Sequence, residues 1–157
     1  MKTVPKERNN LGGIATIYAV PSFMIQIQQP DPDSGLGTIV DFPSDNAYAL
    51  WPIFQSASFK EEMQTAPAGM YWDQTLTFSL AKNSPVVNQL IDELASRTWA
   101  VVMRDQNDNF LVAGNRLYPM RLNIKSDTGA DISDLNNASF TFTASSPIRA
   151  VYIGNPA

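Results

Sequence analysis

Residues Met70 to Leu80 read MYWDQTLTFSL, and polarity switches at nearly every step. On an extended chain Trp72, Gln74, Leu76, Phe78 and Leu80 share one face. Tyr71, Asp73, Thr75, Thr77 and Ser79 share the other. Successive side chains point to opposite faces in a β-strand, so a half-buried strand is the reading that sorts them. The first set is core-facing, with Gln74 as its polar exception.

Other segments follow the same rule. Ile14 to Val20 (IATIYAV) is a strand candidate, interrupted by Pro21. Ser22 to Gln28 resumes it with Phe23, Ile25 and Ile27 on one face, and the Pro marks a bend or an edge. Ala57 to Thr65 alternates weakly before a turn at Ala66-Pro67-Ala68-Gly69. Trp99 to Arg104 (WAVVMR) and Phe110 to Ala113 (FLVA) flank Asp105-Gln106-Asn107-Asp108-Asn109, which reads as a β-hairpin. A turn at Gly114-Asn115-Arg116 leads to Met120 to Lys125. A polar connection over 126–137 leads to Ser139 to Ala144, and Ala150 to Ile153 supplies a last short strand.

One helix stands among these strands, over about residues 85–97. Ser84 is its cap and Pro85 suits its first turn. Val87, Leu90, Ile91 and Leu94 recur at i, i+3, i+4 and i+7, a single apolar stripe for core packing. The sum is mostly β, of the α+β class. It is an antiparallel β-sandwich or a partly open barrel with one flanking α-helix, because short connections favour antiparallel neighbours. A chain of 157 residues fits one such domain over 14–157, preceded by a polar arm over 1–13. The start has charge but no apolar run of signal-peptide kind. No stretch is apolar enough to cross a membrane as a helix.

Residues 29–46 form a long connection with three Pro, two Gly and four Asp. Loops of this length in compact domains are usually functional or mobile. Leu36, Ile39, Val40 and Phe42 give it apolar content. It either reaches a neighbouring subunit or folds over its own core.

Composition narrows the function. The chain has no His and no Cys. Ser-His-Asp hydrolysis, cysteine nucleophiles, zinc-thiolate sites and disulfides are therefore excluded. The net charge of -4 argues against a domain that grips phosphates, though not against one that lines a path for DNA. Charged residues are only 17% of the chain, and amides fill much of the polar space. Such a surface suits extensive protein contact, because amides cost less to desolvate than ions. Glu61 and Glu62 are adjacent, so on a strand they face opposite ways and cannot act as a catalytic pair. Asp127, Asp131 and Asp134 lie in an oxygen-rich loop but lack the calcium-loop spacing, so a solvated turn is expected. Asp105, Asn107 and Asp108 read as hairpin-turn residues. No glycine-rich phosphate loop is present. The expectation is a non-enzyme without cofactor.

Four stretches carry a family resemblance. They are Asn9-Asn10-Leu11-Gly12-Gly13-Ile14 before the first strand, Tyr71-Trp72-Asp73-Gln74-Thr75-Leu76-Thr77-Phe78 before the helix, Asn115-Arg116-Leu117-Tyr118-Pro119-Met120-Arg121-Leu122, and Ser126-Asp127-Thr128-Gly129-Ala130-Asp131-Ile132-Ser133-Asp134 before a final Phe-Thr-Phe strand. In this layout the chain resembles the small tail or neck proteins of tailed bacteriophages and prophages. The resemblance implies a virion structural subunit, made in the host bacterial cytoplasm. It would assemble with itself, as a hexameric ring in tail-tube relatives, and with neighbouring virion proteins. DNA would be passing cargo, in a lumen that is often acidic, with no sequence-specific binding. Loop and arm would make the subunit contacts, through Lys6, Arg8, Leu36, Ile39, Val40 and Phe42. Position in the particle stays open, since neither segment matches a family motif residue by residue. The alternative is a carbohydrate- or receptor-binding β-sandwich, whose exposed aromatic platform would draw on Trp51, Tyr48 and Tyr71.

Overall fold

The structure is a computed structural model that describes residues 12–28, 30–39, 42, 44–53, 56–81, 85–127, 130 and 137–154. In chain order the elements are β1 (Ile14–Pro21), β2 (Ile27–Gln28), β3 (Thr38–Ile39), β4 (Tyr48–Leu50), β5 (Ser58–Ala66), β6 (Gly69–Ala81), α1 (Pro85–Ala95), β7 (Trp99–Asp105), β8 (Phe110–Ala113), β9 (Arg121–Asp127), β10 (Asn137–Ser146) and β11 (Val151–Ile153). Two antiparallel sheets carry the fold, ordered β11-β8-β7-β1-β4 and β5-β6-β10-β9. They form a sandwich and do not close into a barrel. A two-stranded ribbon, β2-β3, is added to it.

The β6 alternation places its residues as the sequence orders them. Leu76 and Phe78 are fully buried, Gln74 and Leu80 nearly so. Register then extends the pattern across the sheet. Phe59, Leu76, Phe142 and Leu122 stand opposite one another on the inner face, as do Phe78, Phe140 and Ile124. Cross-strand neighbours on one face interact directly. Phe78 stacks on Phe140 with centroids 5.1 Å apart and on Phe142 at 6.1 Å. Burying each of these rings stabilises the sandwich by roughly 1.5–3 kcal/mol.

The five-stranded sheet is buried on both faces, which explains the near-continuous apolar runs of β1 and β7. Ile17, Ala19, Trp99, Val101 and Met103 belong to the core between the sheets. Val20, Ala100, Val102, Val112 and Ile153 form a second core on the far side, together with Ile25. The 29–46 connection helps to cover that far side. Ile39 and Phe42 pack against it, and Phe42 meets Tyr18 edge-on at 6.4 Å.

The strand expected over Ser22 to Gln28 is corrected. Pro21 ends β1, a 3-10 turn occupies Ser22–Met24, and only Ile27–Gln28 is extended as strand. Phe23 is 53% exposed while Ile25 is 3% exposed, so the two do not share a buried face. Ser22 is tied to Thr98 twice, through its backbone N–H at 3.2 Å and its hydroxyl at 2.8 Å. Those bonds draw the chain across the start of β7 and break the alternation.

Helix α1 buries Leu94 and packs Val87, Leu90 and Ile91 against the main core. It ends at Ala95 rather than Arg97. The Ser96 N–H and hydroxyl both turn back to the Glu93 carbonyl, at 3.3 and 2.7 Å. Ser84, the expected cap, lies outside the described residues.

Candidate functional site

With the inner face of the four-stranded sheet filled, its outer face is built from the intervening residues. Register sets them in rows. Lys60, Thr75, Thr143 and Arg121 form one, and Ser58, Thr77, Thr141 and Asn123 the next. Ser79, Ser139 and Lys125 follow, and Glu62, Asp73 and Ser145 lie on the other side. The face is therefore dominated by short hydroxyls. Its charges are mixed, with Lys60, Arg121 and Lys125 beside Glu62 and Asp73, so the acidity of the chain is not concentrated here. Lys60 and Glu62 pair at 2.7 Å, and Ser145 donates to Asp73 at 2.8 Å.

The edges of this sheet are β5 and β9, and neither carries a further strand on its outer side among the described residues. Neighbours are antiparallel throughout, so with four strands the two edges run in opposite directions. The β5–β6 hairpin also outruns the sheet. Strand β10 ends with Ser146 opposite Trp72; Met63 is exposed in that last row and Met70 in the tip beyond it. The Arg149 guanidinium covers the Trp72 ring at 4.6 Å. Glu61, from the inner face of β5, holds this region together. It accepts hydrogen bonds from Gln74 Nε2 at 2.9 Å, Arg149 Nε at 3.0 Å and the Ala150 N–H at 2.8 Å.

A third feature unites residues that are distant in sequence. Phe23, Arg97, Thr98 and Arg121 line an open groove of about 500 Å³ between the 3-10 turn, the end of α1 and the start of β9. Arg116 donates to the Phe23 carbonyl at 2.7 Å, so a third guanidinium stands beside Phe23 without lining the groove itself. Nothing in the local spacing joins positions 97, 116 and 121, and only the fold does so.

Of the expected contact residues, Leu36 is 44% exposed, whereas Ile39 and Phe42 are engaged in the second core. Lys6, Arg8 and Val40 lie outside the described residues, as do Asp131 and Asp134 and the side chain of Asp127. The aromatic trio divides. Trp51 is 67% exposed, Tyr71 is half-buried, and Tyr48 packs edge-on against Trp99 with centroids 5.5 Å apart. Asp105 does turn chemistry, with Oδ1 accepting the N–H groups of Asn107 and Asn109 at 2.8 and 2.9 Å. Glu61 and Glu62 point to opposite faces of β5, the first with its side chain 11% exposed and the second 51%. No cluster of metal-ligating side chains occurs among the described residues, and none of the described helices is long and apolar enough to cross a membrane.

No family model, curated protein or solved structure matches the chain.

Proposed function

We propose that the chain is a non-enzymatic structural subunit of a phage tail or neck, which assembles with copies of itself into a ring or tube that DNA passes through. The observation that carries this reading is the four-stranded sheet, with an open hydroxyl-rich face and two strand edges left unpaired among the described residues. Unpaired edges are templates for further strands. Because β5 and β9 run in opposite directions, a rotated copy set beside either edge continues the antiparallel order. Repetition of one such contact generates a closed ring when the rotation closes. A wall of Thr and Ser hydroxyls with mixed charge offers a polyanion little to hold it, since retention on DNA comes from clustered Lys and Arg. The subunit then belongs to the virion, with neighbouring virion proteins as its partners.

Negative-stain microscopy of the purified protein tests the reading, with sedimentation over a concentration series alongside. Rings or tubes with a central channel are the expected result. A chain that stays monomeric at high concentration overturns it.

A further inference from the structure

The groove at Phe23 is lined by the guanidinium groups of Arg97 and Arg121. Arg97, Arg116 and Arg121 take part in no ion pair among the described residues. No carboxylate lines the groove among the described residues, and its apolar members include a Phe23 ring that is half in solvent. Leu117, next to Arg116, is 79% exposed. Guanidinium groups beside apolar surface are suited to carboxylates presented together with an apolar side chain.

The chain presents such a group elsewhere. Residues 31–36 form a tight turn closed by Asp31 N–H to the Leu36 carbonyl at 3.0 Å and Gly35 N–H to the Asp31 carbonyl at 2.7 Å. The Asp31 carboxylate braces it by accepting from the Asp33 N–H at 3.1 Å and the Ser34 hydroxyl at 3.3 Å. Asp31, Asp33 and Leu36 are all exposed, and neither Asp is in an ion pair among the described residues. The turn is anchored beside β11 by the Gly37 N–H to the Tyr152 carbonyl at 2.8 Å. Strand β11 is the outer strand of the five-stranded sheet, whereas the groove lies beside α1 and β9. Pro30, before the turn, shares a pocket with Asn115, beside Arg116, but no ion pair joins Asp31 or Asp33 to these guanidinium groups among the described residues.

We propose that the groove lined by Phe23, Arg97 and Arg121, with Arg116 beside it on the Phe23 carbonyl, receives the Asp31–Leu36 turn of a second copy of this chain. Asp31 and Asp33 meet the guanidinium groups, and Leu36 covers Phe23 and Leu117. The turn is already braced, so docking it costs little ordering entropy. Donor and acceptor patches are different surfaces, which makes the contact heterologous and able to propagate from copy to copy. The inference rests on the self-assembly reading and names a contact within it.

The test is a charge exchange read by sedimentation of the full chain. Arg121→Glu and Asp33→Lys sit on opposite sides of the contact, and each is expected to weaken self-association about tenfold or more, the scale of a lost interfacial charge pair. The combined variant restores the pairing with signs reversed and recovers association. Both residues are exposed, so thermal melts of the variants should match the parent. The chain has no Cys. Asp33→Cys and Arg121→Cys proteins, mixed and oxidised, should therefore cross-link mainly to each other. If the parent assembles but neither exchange weakens it, or the combined variant stays weak, the contact is wrong and the assembly reading stands. If Arg121→Glu leaves association intact and instead abolishes binding of a short DNA oligonucleotide, the groove is a phosphate site and the proposal falls. A parent that never associates removes the assembly reading itself, and the contact with it.

Discussion

Gln74 donates its side-chain N–H to the Glu61 carboxylate at 2.9 Å, between neighbouring strands of the sandwich's inner face. The same carboxylate holds Arg149 and the Ala150 backbone, so it ties the β5–β6 hairpin to the chain entering β11. Gln74 Oε1, by contrast, is buried with no hydrogen-bond partner among the described residues. Removing an acceptor that serves several donors costs more than removing a side chain that brings an orphan with it. Glu61→Ala is expected to destabilise the fold by about 2–4 kcal/mol, and Gln74→Leu by less than about 1.5 kcal/mol. Urea unfolding of both variants checks the order. Equal losses would show that Glu61 is not the organising member of the pair.

At the other end of the core, the Trp99 indole N–H donates to the Leu94 carbonyl at 2.7 Å, with both residues fully buried. The bond satisfies one of the carbonyls that the last turn of α1 leaves open. Trp99→Phe keeps an aromatic ring but strands that carbonyl and opens a void. The expected loss is about 2–4 kcal/mol, from an unsatisfied buried group together with lost packing. Thermal or urea unfolding measures it. A loss below about 1 kcal/mol would mean that water reaches Leu94 and the helix end is not sealed.

These contacts show where sequence reading succeeded and where it stopped. Strand β6 was legible because one of its faces is core and the other solvent, so Leu76, Phe78 and Thr77 sort themselves by period. Helix α1 was legible because Val87, Leu90, Ile91 and Leu94 keep a single stripe. Phe23 and Ile25 share the spacing of a strand face, yet one is exposed and the other buried. The bonds from Ser22 to Thr98 override the local pattern, and no local signal reveals a partner so far along the chain. The 29–46 connection stayed ambiguous for a related reason. Ile39 and Phe42 are apolar whether they cover the chain's own sheet or a neighbour's, and only the fold shows them packed on the outer face of β1 and β7. The groove was invisible because Phe23, Arg97 and Arg121 come from three segments that only tertiary packing brings together.

Tyr48 links the edge of the five-stranded sheet to α1 by donating its hydroxyl to Glu93. That hydrogen bond, then burial and the Glu93 charge, raise its pKa above the ordinary 10.0, against a smaller opposing effect of Arg97. The folded state therefore holds the phenolic proton more tightly than the unfolded chain. Its contribution to stability is complete below the unfolded pKa and is lost as pH rises through the folded one. Tyr48→Phe should accordingly narrow its stability gap to the parent as pH climbs above 10. Unfolding measured at neutral and alkaline pH, with phenolate absorbance followed in parallel, tests this. A gap that widens with pH would reverse the sign and refute it.

Trp51 supplies the cleanest discrimination between a structural subunit and a sugar-binding module. It is 67% exposed, while Tyr48 is committed to packing on Trp99. Under the structural reading, Trp51→Ala changes stability by no more than about 0.5 kcal/mol, as exposed positions usually do. A glycan screen of the parent should then return no ligand. A glycan bound by the parent and lost in Trp51→Ala, with folding unchanged, would move the assignment to the binding module.

Gly114 gives the sharpest test of how the two sheets are joined. Trp99 and Met120 exchange backbone hydrogen bonds at 2.9 and 2.8 Å, which links the start of β7 to the lead-in of β9. Gly114 sits against that link with φ +85°, and an added Cβ would lie 2.9 Å from the Trp99 carbonyl oxygen and 3.0 Å from Met120 Cγ. Ala at this position therefore suffers backbone strain and collides with a bond that holds the corner. Gly69, at the tip of the β5–β6 hairpin, also has positive φ, but its Cβ would meet nothing within 4 Å. Strain alone costs about 1–2 kcal/mol, and forcing extra volume into packed structure adds about 1–3 kcal/mol. Gly114→Ala should therefore lose about 2–5 kcal/mol and Gly69→Ala only the strain component, measured by urea unfolding at one temperature. Equal losses at the two positions would mean that the Trp99–Met120 corner yields freely, and that the sheets are not held at that point.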